Sequence, residues 1–142
     1  MRHFTQILSL AARQHGGEAA LERLLISPLT SVKLRAVPDD RWLSSMTKCV
    51  FQSGFNWQVI EDKWDRFEDV FERFNLRRWS RMNDEDLDHL LKTKGIVANG
   101  AKISSVGDNA RFLLGLAETN GSVGAHFAGW SAERYCENIQ AL

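Results

Sequence analysis

Phe51-Gln52-Ser53-Gly54-Phe55-Asn56-Trp57 is the stretch on which the fold turns. An apolar helical run enters it, Gly54 can take the positive φ that ends a helix, and Asn56 is a side chain suited to cap the next one. The stretch therefore reads as a joint between two helices. It also sets Phe51, Phe55 and Trp57 beside Gln52, Ser53 and Asn56. An apolar wall edged by polar groups is how small pockets are built.

Upstream, Pro38-Asp39-Asp40 is a start signal for the entering helix. In it Trp42, Leu43, Met46, Cys49, Val50 and Ser53 recur at three and four, which predicts a core-facing stripe with Cys49 inside it. Downstream, Trp57, Ile60, Trp64, Phe67, Val70, Phe71 and Phe74 keep helical period over 57–74. Glu61, Asp62, Asp65, Glu68, Asp69 and Glu72 then take the wet side, a solvated face rather than a catalytic pair. The period leaves open whether this is one helix or two bent near Asp65.

Farther out, helices are expected over 4–14, ended by Gly16-Gly17, and over 18–25, stopped by Ser27-Pro28, with a turn or two inside 29–37. A short helical turn over 76–82 precedes a helix capped by Asn83 or Asp84, which carries Leu87, Leu90 and Leu91 and closes at Lys92 to Gly95. Asn99 caps a long helix through Ile103, Val106, Ala110, Leu113 and Ala117 to Asn120-Gly121. A last amphipathic segment over 123–142 is broken near Gly129-Trp130-Ser131. No useful strand alternation occurs, so the expectation is an all-α chain, a single helical domain of about seven helices over 1–142.

Composition excludes more than it assigns. With 142 residues and a hydrophobic fraction of 44%, the chain can fill one core. Lys plus Arg and Asp plus Glu are both 18, so no global field draws it to nucleic acid or anionic lipid, and any such contact must be local. The longest central uncharged run, 49–60, is too short to cross a bilayer, and no signal-peptide core opens the chain. Cys49 and Cys136 lack metal-ligand spacing, and the four histidines form no i, i+4 pair. The expectation is a reduced, cytoplasmic protein with no metal and no cofactor. Arg77, Arg78, Arg81, Lys92, Lys94 and Lys102 could meet phosphates, though ordinary surface charge explains them as well. Core packing is the ordinary role for Phe51; Trp57, first after a cap, can stand at a pocket edge and stack on a planar base.

Three motifs taken in order carry a resemblance: Phe51 to Trp57, then Ile96-Val97-Ala98-Asn99-Gly100-Ala101-Lys102-Ile103, then Asp108-Asn109-Ala110-Arg111. Together, over about residues 40–116, they resemble the type I 3-methyladenine DNA glycosylases. The resemblance implies a partial helix-hairpin-helix glycosylase-like bundle, shortened at its C-terminus, that hydrolyses the N-glycosidic bond of alkylated adenine in DNA. Alkylated DNA would be its partner and free 3-methyladenine its product. By motif position Trp57 would be the stacking platform, with Gln52, Phe51 and Phe55 lining the pocket and Cys49 standing where the family has a recognition glutamate. Asn99 and Lys102 would fix the loop and meet the DNA backbone, beside Arg77, Arg78 and Arg81. The alternative is a catalytically inactive binding module from the same family, dimerising through the face that the shortened end leaves open.

Overall fold

The computed structural model describes residues 3–25, 29–130, 137 and 140. The Ser27-Pro28 stop signal, Cys136 and most of the expected amphipathic segment beyond Trp130 lie outside the described residues. Within them the chain is helical and contains no strand: α1 (Phe4–Gln14), α2 (Glu18–Leu24), α3 (Ser31–Arg35), α4 (Asp39–Gln52), α5 (Trp57–Val70), α6 (Leu76–Trp79), α7 (Asp84–Lys92), α8 (Gly100–Asn120) and α9 (Val123–Ala128). No helix among them is long and apolar enough to cross a membrane.

Local chemistry sets most boundaries. Asn83 Oδ1 accepts from the Asp86 amide and the Asp86 carboxylate accepts from the Asn83 amide, so α7 begins in a reciprocal capping box. Asn99 caps α8 through the Lys102 amide at 3.1 Å, and Gly121, at φ 85°, ends it in the left-handed region. The long α8 then serves as the spine against which α4, α6, α7 and α9 pack. Its Ile103, Val106, Ala110 and Leu113 are buried with Leu43, Phe51, Phe67, Phe71 and Phe74 in one cluster.

One sequence expectation is corrected here and one open question is answered. The buried face of α4 is Leu43, Ser44, Thr47, Phe51 and Gln52, and Cys49 is exposed. The core lies toward α8, and Cys49 falls outside the α4 face that is turned to it. The 57–74 run does not bend near Asp65: α5 continues to Val70 and breaks after it, where Glu72, Arg73 and Phe74 take φ of 49°, 54° and 60°. This left-handed turn reverses the chain so that Phe74 stacks back on Trp64, with ring centroids 5.6 Å apart.

Candidate functional site

The α4–α5 joint is built by three local devices. Gly54 takes φ 67°, the Phe55 amide donates to the Gln52 carbonyl at 3.1 Å, and Asn56 Oδ1 accepts from the Gln58 amide at 3.0 Å. A fourth comes from afar. Lys102 Nζ, in the first turn of α8, donates to the Phe51 carbonyl at 3.2 Å and to the Ser53 carbonyl at 2.6 Å. A cation on the free carbonyls of a helix C-terminus is favourable by hydrogen bonding and by the dipole. Asn99 holds the start of that helix, so the second motif pins the first. In the third motif Ala110 is fully buried, and Arg111 donates to the Ser80 carbonyl at 3.3 Å, tying α8 to the end of α6.

On this joint the side chains separate by role. Phe51 is sealed in the core, edge-on to Phe67 at 4.8 Å, and Gln52 is buried at 8% exposure. Phe55 and Trp57 stand in solvent at 45% and 66% exposure, and Cys49 is exposed on the neighbouring helix. The joint is therefore an open wall with a rigid back. The larger cavities lie elsewhere: one of about 610 Å³ among Asp39, Arg73, Arg77, Leu114 and Glu118, another of about 590 Å³ among Arg41, Trp64, Asp65, Glu68 and Asp69.

Below the joint, a polar seam stitches α4 to α5. Gln52 Nε2 donates to Glu61 Oε1 and Lys48 Nζ to Glu61 Oε2, each at 2.8 Å. One turn down, Lys48 Nζ lies 4.9 Å from the centre of the Trp64 ring. At the far end Glu68 accepts from Ser44 Oγ at 2.6 Å, from Trp64 Nε1 at 3.2 Å and from both terminal nitrogens of Arg41 at 2.8 and 3.0 Å. Burial pushes the Glu68 carboxyl up, but hydrogen bonds from Arg41 and Ser44 and the Arg41 charge outweigh it, leaving the pKa below its ordinary value. The hydrogen bond to Glu68 in turn raises Arg41.

The basic residues divide. Arg78 is engaged by Asp86 and Glu72, and the hydrogen bond to Asp86 raises its pKa; the same bond holds Asp86 below the usual carboxylate range. Lys102 is held at the joint. Arg77 and Arg81, exposed and four residues apart around α6, make no side-chain ion pair among the described residues. Sequence reasoning missed the seam by assigning Glu61 and Glu68 to a uniformly wet face. A signal was present: Trp57, Glu61, Trp64 and Glu68, like Arg41, Ser44, Lys48 and Gln52, recur at three and four and so form one edge of each helix.

Comparison with known proteins adds to this geometry. The sequence profile of a family described as methyladenine glycosylase matches residues 35–141. DNA-3-methyladenine glycosylase 1 of Escherichia coli (strain K12) is 30% identical over 80 residues, which are 56% of this chain and 42% of that protein. A crystal structure of 3-methyladenine DNA glycosylase I is 28% identical with a TM-score of 0.57, covering 63% of this chain and 49% of that one. A point variant of such an enzyme in complex with 3-methyladenine gives 21% and 0.58, with 62% and 49% covered. A point variant from Staphylococcus aureus gives 21% and 0.58, with 61% and 47% covered. The two at 21% identity speak to the fold alone. The matched part spans less than half the length of each relative.

Proposed function

The chain belongs to the methyladenine glycosylase family, and from that premise we propose that it recognises alkylated adenine flipped out of DNA and hydrolyses its N-glycosidic bond. The observation that carries this reading is Trp57: an indole left 66% exposed, first in its helix, on a turn held from behind by Lys102. Packing gains nothing from an indole kept in water, whereas a stacking surface for a planar base needs one. A ring-alkylated adenine is cationic and leaves as a neutral base, so selection and positioning contribute more than a strong acid would. Phe55 would extend the wall, and Gln52 and the Phe51 backbone would support it. Arg77 and Arg81, with Lys92 and Lys94, are exposed basic side chains without an ion pair among the described residues and would meet DNA phosphates, within a cytoplasmic protein whose Cys49 stays reduced.

The test is release of 3-methyladenine from methylated duplex DNA at neutral pH. Release above the spontaneous rate, reduced at least tenfold in Trp57→Ala, is expected, since base stacking on an aromatic is worth about 1–3 kcal/mol. Spontaneous release alone would defeat the catalytic reading.

One feature favours a second reading, that of a partner-binding module without chemistry. Phe4, Ile7, Leu8, Leu10, Leu24, Leu25, Leu29 and Val32 are exposed between 41% and 77%. Exposed apolar side chains in this number are what a partner-binding surface offers. Sedimentation separates the readings: an inactive dimer supports the module, an active monomer the enzyme.

A further inference from the structure

The upper end of the α4–α5 seam holds a carboxylate that is only partly buried. Glu61 follows Trp57 by four residues, so the two side chains leave the same face of α5 one turn apart. Gln52, buried, fixes one carboxylate oxygen, and Lys48 takes the other. The Glu61 side chain is nevertheless 45% exposed and that of Lys48 29%, so the outer side of the pair is open to solvent. The seam also shows what this place accommodates: the Lys48 ammonium lies against Glu61 and within 4.9 Å of an indole centre, a cation held between a carboxylate and an aromatic face. One turn up, Trp57 offers a second indole with no cation on it among the described residues.

An indole face already favours the alkylated cation over its neutral parent through the ring quadrupole, but at an exposed site that preference is small. A nearby negative charge does discriminate, since it attracts only the cation. We propose that Glu61 is the specificity residue by which the joint prefers a cationic alkylated purine to its neutral parent, with Trp57 as the stacking surface and Lys48 as an internal competitor for the same carboxylate. This rests on the reading of Trp57 given above, and it names the charge of the ligand as the quantity read.

The experiment titrates the full chain at pH 7 with 1-methyladenosine, a stable purine nucleoside that is cationic there, and with neutral adenosine. The wild type is expected to bind the cation roughly tenfold more tightly, a preference on the scale of a partly exposed cation–π and charge contact. Glu61→Gln should lower the ratio several-fold with adenosine affinity unchanged, leaving only the share that the indole supplies. Lys48→Met should raise the ratio, because it frees a carboxylate oxygen. Asp62→Asn, the same change of charge one residue along, should leave the ratio as in the wild type. A purely structural ion pair predicts otherwise, since Glu61→Gln and Lys48→Met break the same bond and would move together. That outcome, or an undiminished ratio in Glu61→Gln, overturns the proposal. Equal wild-type binding of both nucleosides that still depends on Trp57 overturns it too, while leaving the joint as a stacking site. Absence of binding, or binding indifferent to Trp57→Ala, removes the joint reading itself.

Discussion

Glu68 shows how much one residue can organise and how little of that is visible in a one-dimensional pattern. It sits among acids on a helix whose outer face is charged, yet its carboxylate gathers Arg41, Ser44 and Trp64 from two helices. Its pKa is held below the ordinary value of 4.5. A depressed folded-state carboxyl adds stability that is complete above the unfolded pKa and is lost as pH falls through the folded one. Glu68→Gln should therefore cost about 1–2 kcal/mol at pH 7, a charged hydrogen-bond hub discounted for the half-exposed Arg41. The gap from wild type should close in urea titrations run progressively below pH 4.5. A gap independent of pH would assign the cost to shape instead. Asn56, Asn99 and Gly54 were legible in advance, and Asn83 as one of two candidates, because a cap or a positive φ is decided by the residue and its immediate neighbours. Cys49 and Glu68 were not, because their surroundings are set by where the facing helix lies.

Among the elements, neither the left-handed turn after α5 nor the α3–α9 contact is written in the helical period. Helical period continues unbroken through Phe67, Val70, Phe71 and Phe74, so nothing in it announces three successive residues at positive φ. Such a conformation costs about 1–2 kcal/mol per residue without glycine. Burial of Phe71 and Phe74, with the Arg41 side chain donating to the Arg73 carbonyl at 2.7 Å, holds the turn in place. Arg73→Gly is expected to raise stability by up to about 1 kcal/mol, because glycine removes the strain and keeps that carbonyl. A loss in thermal denaturation would show that the Arg73 side chain contributes more than its backbone. Gly124 in α9 is the reverse case: a Cβ there would strike the Leu34 carbonyl oxygen. Gly124→Ala should destabilise by about 2 kcal/mol, by the cost of overpacking, with near-ultraviolet dichroism reporting the loosened Trp42 and Phe127 stack. No spacing in the sequence predicts that approach, since it depends on a helix some ninety residues earlier in the chain.

For the whole molecule, the division is between the part the family matches and the hairpin ahead of it. The family match starts at residue 35, and the core cluster runs from Leu43 onward. The contacts of α1 are chiefly with α2, and that pair holds much of the exposed apolar surface. Hydrogen exchange should find α1 and α2 amides open well before those of α8, since few buried contacts protect them. Equal protection would mean that the hairpin is covered in solution. The all-α class and the α4–α5 joint followed from caps and period, and the family from three short motifs. Their mutual support through Lys102, and the seam beneath them, needed the packed structure. The most direct test of the central claim is titration of the chain with free 3-methyladenine by calorimetry, wild type against Trp57→Ala at matched stability. The account predicts binding that weakens at least tenfold on loss of the indole, from a stacking contribution of about 1–3 kcal/mol. Equal affinity of the two proteins would contradict it.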